Sequence, residues 1–309
     1  LAFFTVLFQV VVIFILMAAG FLLFKTGILD DHSCRSMTRM LIYLVSPVII
    51  VYSFQIKLTP ELMHGLEVSA LSAVGAHVAG IIITQLLFAR HPADRSRRSA
   101  LKYAVVYSNC GFIGIPLLTA LLGTKGVFYA SVYIGVFNLF TWTHGVMVFT
   151  GKPDRRALRG IVLNPNLMAL AVGLMLFAFS VKIPTLLYDS MGYIFNMNTP
   201  LAMIVIGARM AQTDMRTIFT DKLVWPGVLL RNFAMPVLML MLLHLAGVSG
   251  PLLTACLIPV CCPVGGNTVL FADLFGSEVT FATKVMTVST LLSVLSIPAV
   301  VYLISALRF

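Results

Sequence analysis

Two short segments of this chain carry residues able to hold an anion with backbone amides and neutral side chains. The first reads Ser108-Asn109-Cys110-Gly111-Phe112-Ile113-Gly114-Ile115-Pro116. The second reads Pro259-Val260-Cys261-Cys262-Pro263-Val264-Gly265-Gly266-Asn267-Thr268. Glycine and proline at that density argue against a continuous helix, and an interrupted helix exposes N–H groups on one half and C=O groups on the other. The N-terminal end carries partial positive charge and favours a negative guest. Asn109 and Asn267 add amide donors, and Gly111, Gly114, Gly265 and Gly266 admit a ligand close to the backbone. Converging, the segments make a carboxylate site that needs no buried arginine, and a neutral donor set releases its guest readily. The candidate substrate-binding residues are Ser108, Asn109, Cys110, Gly111, Pro116, Pro263, Gly265, Gly266, Asn267 and Thr268. Ser108 and Thr268 supply hydroxyls, or bond their own preceding turns. The plainer alternative is that these small residues only let helices approach one another.

The elements that must position these segments are membrane helices. The chain has 309 residues, is 60% hydrophobic and 10% charged, and has a mean hydropathy of +1.00. Soluble domains carry about 25% charged residues. A spanning helix needs about 20 mostly apolar residues. By that measure ten spans are expected, near 3–24, 37–55, 62–88, 101–122, 127–149, 161–181, 190–211, 223–246, 251–275 and 285–307. The chain begins at Leu1 without an initiator Met, so some residues are expected to precede it; the first run is too long for a signal-peptide core and lacks a basic leader. Prolines inside the spans are tolerated where neighbouring groups satisfy the freed carbonyls. The net charge of +10 does not mark a nucleic-acid binder, because the basic residues sit between apolar runs.

Alternate connections collect sixteen basic residues, among them Arg95, Arg98, Lys102, Lys152, Arg155, Arg156 and Arg159; the others hold only Lys57, Lys125, Lys182 and Arg308. Excess positive charge faces the cytoplasm, which places both termini outside. The basic stretch 150–160 divides the chain into units 1–149 and 161–309, each with five spans. An odd number per unit inverts one relative to the other. Gly20-Phe21-Leu22-Leu23-Phe24 recurs as Gly173-Leu174-Met175-Leu176-Phe177, and Ser46-Pro47 as Thr199-Pro200, both 153 residues on. The fold class expected is an all-α polytopic membrane protein of ten transmembrane helices in two inverted five-helix repeats.

With Tyr107 to Leu118, Trp142-Thr143-His144-Gly145, Asn164-Pro165-Asn166-Leu167, Pro200 to Met203 with Gly207, Arg231 with Pro236, and Pro263 with Asn267, the chain resembles the auxin efflux carrier family. That family includes plant auxin exporters and bacterial organic-acid permeases. The resemblance covers nearly the whole chain, and its first stretch is the most specific. It implies a bile-acid-symporter-like fold in which helices 4 and 9 are broken and cross near the bilayer midplane at prolines, here Pro116 and Pro263. It also implies that the first two spans of each unit form a scaffold past which the other three move. Asn109 and Asn267 occupy positions where the family contacts substrate. The short linker is like that of the family's bacterial members.

Other polar residues allow two readings each. Asp273 could carry a coupling proton, or be solvated at a span end. Arg209 and Arg231 are read chiefly as structural, Arg209 reaching the interface by snorkelling and Arg231 pairing with Asp221 or Glu278; the alternative for Arg231 is to attract an anionic substrate on entry. His77, His144 and His244 could relay protons, although packing is their commoner role. Cys110, Cys261 and Cys262 could ligate a soft metal or arsenite, but no CxxC is present. The other cysteines are Cys34 and Cys256; the five form no disulfide framework. GxGxxG, HExxH, Walker and GxSxG patterns are absent, so no enzyme and no cofactor is expected. The leading expectation is a cell-membrane secondary transporter moving a small organic anion by alternating access. A ligand sensor of the same fold and a soft-metal exporter are the alternatives. The expected partners are the substrate, lipid and a second copy through the scaffold helices, with no nucleic acid.

Overall fold

The computed structural model describes residues 2–152, 160–214 and 216–306. Arg155, Arg156, Arg159 and Arg308, and most of the linker 150–160, lie outside the described residues. The described chain is helical: α1 Ala2–Lys25, α2 Asp31–Ser53, α3 Pro60–Phe88, α4 Arg95–Val106, α5 Cys110–Thr150, α6 Pro165–Ala178, α7 Thr185–Ala211, α8 Val224–Leu245, α9 Gly250–Cys261, α10 Asn267–Leu274 and α11 Val279–Ala306. Local sequence sets several starts. The side chains of Asp30, Thr59, Asp94 and Asn164 cap α2, α3, α4 and α6 by accepting from first-turn amides, satisfying donors that a helix end leaves free.

Seven of the described helices are long and apolar enough to cross a membrane, so the protein is a polytopic α-helical membrane protein. The ten apolar runs do not appear as ten long helices. Runs four and five share α5, which is interrupted at Gly123 in the left-handed region (φ 60°). The expected span 101–122 is divided between α4 and α5, and 251–275 between α9 and α10. Runs six and nine are carried by shorter apolar helices.

Three spanning prolines do not break their helices. Pro47, Pro116 and Pro236 each follow a five-residue π-helical turn, at Leu41–Val45, Cys110–Gly114 and Leu230–Ala234. A widened turn absorbs the missing N–H by shifting the hydrogen-bond register.

Helices α1 and α7 pack through glycine. A Cβ on Gly20 would collide with the backbone of Ile204, and one on Gly207 with the backbone of Met17. Helix α6 packs on α2, where Gly173 lies against the Phe54 ring. Lipid tails give no hydrophobic drive between helices, so such close backbone approach is what holds them. Ion pairs tie the polar ends together. Arg209 of α7 meets Asp31 of α2 at 2.7 Å, and Arg97 of α4 meets Asp221 at 2.6 Å and Glu278 at 2.8 Å.

Candidate functional site

Helix α4 ends at Val106 and α9 at Cys261, and the two interruptions that follow meet. Ser108 and Val264 form an isolated antiparallel bridge. The Asn109 amide donates to the Pro263 carbonyl at 2.7 Å, and the Gly265 amide to the Tyr107 carbonyl at 3.0 Å. Each break thereby supplies the hydrogen bonds the other has lost, as apolar surroundings require.

Side chains meet several further polar groups where the breaks come together. Pro263 has no N–H for the carbonyl four residues earlier, and the Ser108 hydroxyl donates to that Pro259 carbonyl at 2.8 Å. The Val264 amide donates to the Ser289 hydroxyl at 2.9 Å, which in turn donates to Asn232 Oδ1 at 2.5 Å. Arg231, 1% exposed, donates to the carbonyls of Val105 at 2.9 Å and Val106 at 3.3 Å, and to that of Val260. One guanidinium thus closes the C-terminal ends of α4 and α9. The negative ends of both helix dipoles face it.

This overturns one expectation. Arg231 does not pair with Asp221 or Glu278, because both carboxylates are bonded to Arg97. Among the described residues its partners are backbone carbonyls, and its Nε has none.

The N-terminal ends of α5 and α10 lie beyond the breaks. Gly111, Phe112, Gly266 and Asn267 are half-buried, whereas Ser108, Asn109, Cys110, Pro116, Pro263, Gly265 and Thr268 are buried. The glycines divide by role. A Cβ on Gly265 would lie 2.9 Å from the Ser108 carbonyl oxygen, and one on Gly114 3.3 Å from Cys262 Sγ; one on Gly111 or Gly266 would meet nothing within 4 Å. Gly265 and Gly114 serve packing, while Gly111 and Gly266 border open space at two helix N-termini. Among the described residues no acceptor bonds the amides of Phe112, Gly266 or Asn267. The Thr268 hydroxyl is fully buried and has no partner among the described residues.

Two predicted members differ in placement. Pro116 is not in the break: it sits at the start of the α-helical part of α5, seven residues after Asn109, and the backbone departs from helix at 107–109. Asp273 is exposed on the last turn of α10. The Tyr107 hydroxyl donates to the Phe140 carbonyl at 2.8 Å and lies 3.1 Å from His144 Nδ1, so this side chain is packed. His77 is buried among aromatic rings with Nδ1 2.6 Å from the Ala73 carbonyl oxygen. Cys262 donates to the Ile258 carbonyl at 3.3 Å, and no group of three metal-ligating side chains converges among the described residues.

The sequence reading missed Asn232 and Ser289. A signal was present: Ser289, Ser293 and Ser296 recur every three or four residues along α11, which marks an inward polar face. An Arg-Asn pair inside an apolar run points the same way.

Comparison with known proteins points to membrane transport. The family described as membrane transport protein matches residues 5–158 and again 154–301. A protein of Methanothermobacter thermautotrophicus described as an uncharacterized transporter is 22% identical over 292 residues, covering 93% of this chain and 94% of that one.

Proposed function

The chain belongs to the membrane transport protein family, that of the auxin efflux carriers, and is a membrane transporter; from that premise we propose that it is a secondary carrier for a small organic anion. The crossing of the two breaks is its substrate site. The observation that carries this reading is the polarity of the crossing. Both helix C-termini are closed by Arg231, a buried cation with no carboxylate partner among the described residues. Both N-termini open beside Gly111 and Gly266 with donors to spare. A carboxylate there meets positive helix ends, two asparagine amides and a nearby fixed charge.

The chain crosses the membrane ten times on this reading, α4 with the start of α5 and α9 with α10 each making one broken crossing. The two units are inverted repeats, supported by exchange of partners: α1 packs on α7 and α2 on α6. Transport is elevator-like, with α1, α2, α6 and α7 as scaffold. The described ion pairs sort accordingly. Arg209–Asp31 lies within the scaffold, and Arg97 with Asp221 and Glu278 lies within the moving unit. Among the described residues, the side-chain hydrogen bonds Ser53–Ser131 and Asn164–Asn138 join the bodies and must part during movement. The cell membrane, termini outside and a homodimer through the scaffold complete the proposal; proton coupling through Asp273 has little to support it at an exposed position.

A panel of mono- and dicarboxylates is first screened by thermal shift, since a ligand of the folded state raises its melting temperature. Uptake of the strongest stabiliser into liposomes holding only this protein then separates a carrier from a sensor. Asn109→Ala and Asn267→Ala are each expected to weaken binding by about tenfold or more, the loss of a charge-assisted hydrogen bond, at unchanged melting temperature. Wild-type binding and uptake by both variants would sink the assignment.

A further inference from the structure

Helix α4 carries a second concentration of charge that the crossing does not use. Arg95, Arg98 and Lys102 stand at i, i+3 and i+7, which places them on one helical face. Arg97, on another face, holds two carboxylates. The other three have no carboxylate partner among the described residues. Arg98 donates to the His91 carbonyl at 3.1 Å and Lys102 to Gln85 Oε1 at 2.8 Å, while Arg95 lies against Gly151. Together with His144 and Gln85 they surround a cavity of about 320 Å³ between the ends of α3 and α5 and the start of α4. Three like charges on one face repel one another and weaken their helix.

We propose that this pocket binds a phosphate group. Its donors come from three helices, and a tetrahedral phosphate with three free oxygens meets them from several directions, where a planar carboxylate offers two oxygens. Two guanidinium forks favour such an oxyanion, and multiple cations favour its double charge. The volume admits the phosphate together with part of the molecule that bears it. The pocket lies at helix ends, the depth of lipid headgroups, so both an anionic lipid and a soluble phosphate reach it. His144 connects it to the crossing: its Nδ1 is 3.1 Å from the Tyr107 hydroxyl, and the Tyr107 carbonyl accepts from Gly265.

The test uses the full chain purified in neutral detergent, with melting temperature followed against inorganic phosphate and against dioctanoyl phosphatidylglycerol, and dioctanoyl phosphatidylcholine as the zwitterionic control. Saturable stabilisation by inorganic phosphate identifies a soluble-anion site; stabilisation by phosphatidylglycerol alone identifies a lipid-headgroup site. In either case Arg95→Gln/Arg98→Gln is expected to weaken binding by roughly tenfold or more. Arg39→Gln/Lys222→Gln, which removes the same charge at exposed positions, should stay within about twofold of wild type. Equal losses in both pairs, or no saturable response to either anionic probe, overturn the proposal.

Discussion

The two helix interruptions meet in one bridge yet are built from different parts. The break after α9 contains its proline: Pro263 withholds an N–H from the Pro259 carbonyl, and Ser108 of the other break supplies the replacement. The break after α4 contains no proline. Its chain leaves the helix at 107–109 and re-enters through a π-helical turn, and Pro116 follows once the helix has resumed. The glycines are reversed as well. In the first segment the open glycine, Gly111, precedes the packed Gly114, while in the second the packed Gly265 precedes the open Gly266. One residue type therefore does two jobs, and which job depends on what stands opposite. Arg231 is what makes the breaks equivalent, because it closes both preceding helices at once.

The largest effect is expected from removing that common element. Arg231→Met leaves the carbonyls of Val105, Val106 and Val260 without their donor. At about 1–3 kcal/mol for each buried unsatisfied group, the protein should lose at least about 3 kcal/mol, read as a large fall in melting temperature. Arg231→Lys should fall between, since an ammonium cannot span the carbonyls with a planar fork. A wild-type melting temperature in Arg231→Met would break the equivalence of the two breaks.

Pro263→Ala comes next. It restores an N–H that competes with Ser108 for the Pro259 carbonyl and favours a straight helix. Uptake should drop severely, and Ser108→Ala should cost about 1–3 kcal/mol through the orphaned carbonyl. The glycines give a sharper and smaller contrast. Gly265→Ala forces a methyl to within 2.9 Å of the Ser108 oxygen and should destabilise by about 1–3 kcal/mol, the usual cost of overpacking. Gly266→Ala should melt as wild type and alter only ligand affinity. Equal melting temperatures for the two variants would erase the division between packed and open glycines. Pro116→Ala is expected to be the mildest, within about 1 kcal/mol of wild type in stability and close to it in uptake, because its missing N–H is already accommodated by the π turn. If Pro116→Ala proves as damaging as Pro263→Ala, the prolines are equivalent after all.

Much of the architecture was legible in order along the chain. Apolar run lengths and the alternation of basic connections marked a polytopic helical protein, and Gly, Pro and Asn clusters marked where helices fail. Composition reports such properties because lipid imposes the same demand on every segment: backbone groups must be satisfied locally. Less legible was how a proline is accommodated. Pro47, Pro116 and Pro236 resembled Pro263 in sequence context, but a shifted hydrogen-bond register absorbs the first three.

Three decisions belonged to tertiary structure alone. Whether a glycine touches a neighbour or borders open space depends on the opposite segment, about 150 residues away in sequence for Gly114 and Gly265. The partner of Arg231 could not be named from charge, because nearby carboxylates were taken by Arg97 and the true partners were carbonyls, which every residue possesses. The amides of Asn109 and Gly265, free in any isolated broken helix, are consumed by carbonyls of the opposite break, those of Pro263 and Tyr107. Sequence by itself determined where backbone hydrogen bonds must be lost. Only the folded chain decided which groups replace them, since they arrive from the opposite break, from Arg231 of α8 and from Ser289 of α11, all distant in sequence.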